Sequence, residues 1–206
     1  MQRAIQQFRL NIKSVKSLVD IYTLIIKNYP LLTEQSSEIL RAIIVLSISA
    51  LDCFIHDLIK YGMVETYQGN RLPSKPFEAY QISFKFLKLI ESSTKNEKPF
   101  YLEMAISETN SKDSYQSPKS IEYALGLINI SKVWNLLSNE MNDKADNIKN
   151  QLAVIVNRRN KIAHEADYDD LTGDKSAIDI NDINHVISFI ENLCEAIYKI
   201  AQPNSP

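Results

Sequence analysis

A chain of 206 residues with 45% hydrophobic content is long enough to bury one substantial core, so a single domain over residues 1–206 is expected. Its 4 Gly and 7 Pro are too few for the tight turns of an all-β sandwich or a repeated βαβ fold, which leaves an all-α protein. A formal net charge of −2 and a pI near 6.0 deny it the broad basic surface of a non-specific nucleic-acid binder, so any RNA contact is local.

The start of the chain leads into an amphipathic stretch without an apolar core or a small-residue cleavage site, so no secretory signal is expected. Residues 3–28 carry Ile5, Phe8, Ile12, Val15, Leu18, Val19, Tyr22, Ile25 and Ile26 at three- and four-residue spacings, the pattern of a helix with one buried face. Pro30 ends it, and Thr33 offers an N-cap for a second helix from Glu34 to Tyr67. From Ile39 to Ile59 that helix is apolar on nearly all sides and is therefore expected at the centre of the molecule. Its longest apolar run, Ala42 to Leu51, is too short to span a bilayer and stops at Asp52. A soluble protein with no membrane partner follows.

A third helix is expected over Pro76–Ile90. Residues 91–117, rich in Ser, Asn, Lys and Thr, read as a polar connecting insertion with one short helix near Tyr101–Ile106. Ser117-Pro118 then supplies an N-cap followed by the residue favoured at the first helical position, opening a helix through Trp134 to Met141. Another helix runs over Lys144–His164 and gives way to an acidic loop from Glu165 to Asp174. Asp179 or Asn181 caps a last helix with Ile183, Val186, Ile187, Ile190, Leu193, Cys194, Ile197 and Ala201 on one stripe, and residues 202–206 form a flexible tail. The expected architecture is an all-α bundle of five to six main helices. Cys53 and Cys194 fall inside apolar helical segments, which argues against a disulfide or zinc site and for a reducing, cytoplasmic home.

The chemistry concentrates in Lys144–His164. At about 100° per residue, Leu152, Ile155, Val156, Ile162 and Ala163 form an inward stripe with Arg159 in its middle. Arg158 and Lys161 are expected to face solvent, whereas Asn157, Asn160 and His164 share one flank. An arginine on an apolar stripe needs a carboxylate, a phosphate or a wet cleft. Asp52, the acidic residue inside the most apolar helix, is the first carboxylate to consider. One reading is therefore a structural Arg159–Asp52 ion pair, with the chain acting only as a scaffold. The acidic loop residues Glu165, Asp167, Asp169, Asp170 and Asp174 lack the ligand order of a calcium loop and read as a solvated loop. The histidines His56, His164 and His185 make no metal site, and no cofactor is implied.

Arg159-Asn160-Lys161-Ile162-Ala163-His164 resembles the R-N-x-x-x-H form of the R-x(4–6)-H motif of HEPN domains. The segment Leu40–Asp57 is similar to the long early helix of defence-associated HEPN proteins, including the RiboL-PSP-HEPN branch. The resemblance implies a helical bundle in which two motifs meet across a homodimer and cleave RNA without metal. It gives His164 the role of general acid or base, since imidazole titrates near neutral pH. Arg159 would hold the scissile phosphate, and Asn160 would orient His164 or the phosphate. From helix spacing rather than the resemblance, Asp52, and His56 one turn after it, could stand behind the site as structural partners, while the plainer reading of His56 is an exposed or satisfied helix histidine. Compact proteins of this kind serve as toxins of toxin–antitoxin pairs or as antiviral effectors. One subset pairs with a nucleotidyltransferase antitoxin that modifies a tyrosine two residues past the histidine. Here Ala166 holds that position and the tyrosine is Tyr168, whose plainer reading is packing at the mouth of the loop. The alternative is a non-catalytic HEPN module that binds a nucleotide or a nucleotidyltransferase partner.

Overall fold

A computed structural model describes residues 1–169 and 172–202. The acidic-loop residue Asp170 and most of the expected 202–206 tail lie outside the described residues. Among those described, nine α-helices form an all-α bundle: α1 (Gln2–Asn28), α2 (Thr33–Tyr67), α3 (Lys75–Glu78), α4 (Phe84–Ser92), α5 (Lys98–Asn110), α6 (Pro118–Leu127), α7 (Val133–Met141), α8 (Ala145–Glu165) and α9 (Ile180–Ala201).

The apolar pattern of α2 puts it where expected. It packs against α1, α5, α6, α8 and α9, and Leu40, Ile43, Ile48, Leu51, Ile55, Leu58 and Ile59 are wholly buried. With the 3-10 turn before it, α2 is long and apolar enough to cross a membrane, but more than half of its most apolar window is buried against these neighbours. Gly62 permits the close approach of Ile128, since a Cβ there would stand 2.6 Å from Ile128 Cγ2.

α1 lays its Ile5, Phe8, Ile12 and Val15 stripe on α2. It is tied to α9 by two surface ion pairs, Arg9 to Glu195 at 2.7 Å and Lys16 to Glu191 at 2.7 Å. Thr33 does not cap α2. The 3-10 turn Pro30–Leu32 runs straight into the helix, and the Thr33 hydroxyl donates instead to the Pro30 carbonyl at 2.6 Å.

The middle of the chain departs from the sequence pattern in three places. The expected helix over Pro76–Ile90 breaks into α3 and α4, with Ser74 capping the first and Ser83 extended before the second. Tyr80, at the break, donates its hydroxyl to Asn110 at 2.7 Å, and that bond to α5 replaces helix continuity. The connecting segment holds a 13-residue helix, α5, longer than expected because Pro99 starts it and Leu102, Ala105 and Ile106 bury one side. Beyond Ser117, which caps α6 as the sequence indicates, the expected continuous helix is interrupted by left-handed Asn129 and Lys132. The turn lets both α6 and α7 bury apolar faces, through Ile121, Ala124 and Leu125 on one side and Val133, Trp134 and Leu137 on the other. Asp179 caps α9 by accepting from the Asn181 and Asp182 amides.

Candidate functional site

Burial of Ile148, Leu152, Ile155 and Val156 fixes the rotation of α8 and with it the placement of the motif. Arg159 follows on that face, half-buried. Its Nη1 donates to Asn160 Oδ1 at 3.0 Å, and its Nε is shielded from solvent without a partner among the described residues. Asn160, also half-buried, and exposed His164 are one turn apart on the neighbouring flank, with Cβ atoms about 5–6 Å apart at that helical spacing. Ala163 is exposed, so the inward stripe is narrower at its end than the wheel suggests. The arrangement sets a forked cation, an amide and an imidazole side by side in the last two turns of α8, a set that can grip a phosphate and move a proton.

The Arg159–Asp52 ion pair does not form. Asp52 accepts instead from the Tyr115 amide at 2.6 Å and from Gln116 Nε2 at 3.2 Å. His56 lies 4.0 Å from Asp52 and 3.3 Å from the Asp113 carbonyl, with its ring 4.6 Å from that of Tyr115. Both residues therefore fasten the loop between α5 and α6. Among the described residues neither touches Arg159, Asn160 or His164. The physical reason is length: α8 meets α2 near Arg41, and Asp52 lies about 16 Å further along the α2 axis.

A different buried charge cluster occupies the meeting point. Asp167, fully buried, accepts on Oδ2 from Arg41 Nε at 2.8 Å and from Arg158 Nη2 at 2.7 Å. Arg41, only 4% exposed, also donates to the Ser176 carbonyl at 2.8 Å and to Ser37 Oγ at 2.8 Å. Arg158 donates further to the Ser176 and Ala177 carbonyls at 3.2 and 3.1 Å. Two expectations are thus corrected. Arg158 does not point to solvent, because these carbonyls and Asp167 draw it down. Nor is the acidic loop solvated throughout, because Asp167 is buried and shares its Oδ2 between the buried Arg41, which also has Glu38 at 3.5 Å, and the half-buried Arg158. The signal for this cluster was Arg41 itself, a cation inside an apolar helix.

Tyr168 is 48% exposed, forms an isolated bridge with Lys175, and has the Lys175 Nζ 5.9 Å from its ring centre. It borders an open polar cleft of about 810 Å³ between the start of α2 and residues 173–178. His185 lines a smaller cleft of about 440 Å³ with Arg158, on the side of α8 turned away from Asn160 and His164. No group of three or more His, Cys, Asp or Glu placed to hold a metal is found among the described residues. Cys53 is exposed and Cys194 buried, both as free thiols, and burial pushes the Cys194 thiol well up.

The fold and this site together define a class: an all-α bundle with an Arg-Asn-x-x-x-His turn closing a late helix. The family model for RiboL-PSP-HEPN matches residues 9–202, nearly the whole chain, and the protein belongs to that family. No curated protein and no solved structure matches the chain. Family membership points to a ribonuclease or a nucleotide-binding module.

Proposed function

We propose that this protein is a metal-independent endoribonuclease that works as a two-fold homodimer, with Arg159, Asn160 and His164 of each copy facing their counterparts. The observation that carries the reading is the hydrogen-bonded Arg159–Asn160 pair beside an exposed His164 at the end of α8. A module that only binds a partner has no need of an imidazole there. Arg159 grips the scissile phosphate and offsets charge building on its oxygens. One histidine of the dimer takes the proton of the ribose 2′-hydroxyl as that oxygen bonds to phosphorus. The other protonates the 5′-oxygen as the P–O5′ bond breaks, leaving a 2′,3′-cyclic phosphate and a 5′-hydroxyl. Sharing acid and base between two copies explains why one chain carries one histidine in the motif. A cytoplasmic toxin or antiviral effector, held in check by an antitoxin, is the matching biological setting.

The test is cleavage of single-stranded RNA and matched DNA in EDTA by wild type and His164→Ala, with product ends analysed. The expected result is RNA-only cutting that yields cyclic phosphates and falls by about 10²–10⁴-fold in the variant. Absence of cutting by a pure, folded dimer would instead favour the nucleotide- or nucleotidyltransferase-binding module. Intact activity from a strict monomer in light scattering would remove the dimer from the mechanism.

A further inference from the structure

The His164 imidazole makes no hydrogen bond among the described residues, so its direction is set by the helix turn that bears it. That turn ends in an unusual way. Ala166 and Asp167 both adopt the left-handed region, at φ 50 and φ 66, which side chains other than glycine enter reluctantly. Such a conformation persists where the surroundings over-determine it, and here they do. The Asp167 amide donates to the Lys161 carbonyl at 3.1 Å, its carbonyl accepts from the Ser176 amide at 2.9 Å, and its carboxylate holds Arg41 and Arg158. One residue thereby joins α2, the last turns of α8 and the segment returning to α9.

We propose that Asp167, gripped by Arg41 and Arg158, is a positioning residue that holds the last turn of α8 so that His164 points into the ribonuclease site. The inference rests on the ribonuclease reading above. Asp167 touches no reacting atom; it acts by denying the His164 turn the freedom to fray, and Arg158 is the grip from within α8 itself. A site assembled from two copies is sensitive to such fraying, because each imidazole must be aimed at a phosphate shared with its counterpart.

Two variants separate positioning from plain stability. Arg158→Met leaves the Arg41–Asp167 pair in place, and Asp167→Asn keeps the side-chain shape. Lys175→Met, which removes the exposed Lys175–Glu38 pair on the same loop, is the control. Cleavage of single-stranded RNA is measured well below the melting temperature, together with amide exchange at residues 162–165. The expected result for both test variants is kcat lower by about 10²-fold with KM within about twofold. Exchange at residues 162–165 should be at least about tenfold faster, and Lys175→Met should match wild type in all three readouts. Wild-type kcat in variants that merely melt earlier would overturn the proposal. So would a raised KM with kcat intact, which would make Arg158 an RNA contact. If wild type itself cuts no RNA, the ribonuclease reading fails separately. The exchange measurement then decides alone: faster exchange in the variants keeps Asp167 as the holder of the His164 turn, and unchanged exchange ends the idea.

Discussion

The two charged positions that flank the apolar run Ala42–Leu51 of α2 have opposite fates. Arg41 is nearly sealed from solvent and meets side-chain and backbone partners more than a hundred residues away, whereas Asp52 keeps 22% of its side chain exposed and holds one loop, with partners 63 and 64 residues away. At the Arg41 end a buried cation forced the fold to bring a carboxylate, because an unpaired guanidinium in an apolar interior is far costlier than a half-wet carboxylate near a loop. The comparison teaches that a charge within an apolar helix marks a junction, and that its depth sets how far the chain reaches to satisfy it.

The sharpest way to break this contrast is to truncate both carboxylates. Asp167→Ala removes the carboxylate that both guanidiniums share, leaving the buried Arg41 with Glu38 at 3.5 Å, and should destabilise the protein by about 3–5 kcal/mol, read by urea unfolding. Asp52→Ala loses hydrogen bonds to the Tyr115 amide and Gln116, and should cost about 1–2 kcal/mol in the same assay. Equal losses at the two positions would show that depth does not rank these junctions.

The Asp52 end should also carry alkaline sensitivity. Burial pushes the Tyr80 hydroxyl up to about 12 and raises that of Tyr115 as well. Above pH 10 the unfolded chain releases these protons first, so the folded state binds more protons and stability falls as pH rises from about 10 to about 12. Stability curves for wild type and Tyr80→Phe over that window should diverge, with the variant falling less steeply. Parallel curves would place the loss elsewhere.

The smallest expected effect is the most pointed. Because Arg159 and Asp52 do not meet, a double-mutant cycle between Arg159→Ala and Asp52→Ala should show coupling under about 0.5 kcal/mol. A coupling of several times that size would restore the structural ion pair that the wheel geometry suggested.

Much of the fold was legible because its signals are local. The three- and four-residue spacing in α1, α2, α8 and α9, the Ser117 and Asp179 caps, and the Arg159-Asn160-His164 turn on α8 are all written within a few residues of one another. The breaks at Tyr80–Ser83 and Ile128–Lys132 were not legible, since each depends on contacts made after the chain has turned. Arg158 was misread for the same reason: the wheel counts only the apolar neighbours of its own helix, and the carbonyls that draw Arg158 inward belong to residues 176 and 177.

By itself, then, the sequence determined an all-α chain, the centrality of α2, and a motif on the last turns of α8. The first two follow from composition and periodicity, properties of nearby residues, and the motif from its resemblance to the HEPN pattern. Only the tertiary structure decided which charges meet. Arg41 and Asp167 lie 126 residues apart, and nothing in the spacing along a chain favours that pair over Arg159 and Asp52. The choice was made where α2 and α8 cross, because an ion pair forms between the groups that packing leaves side by side.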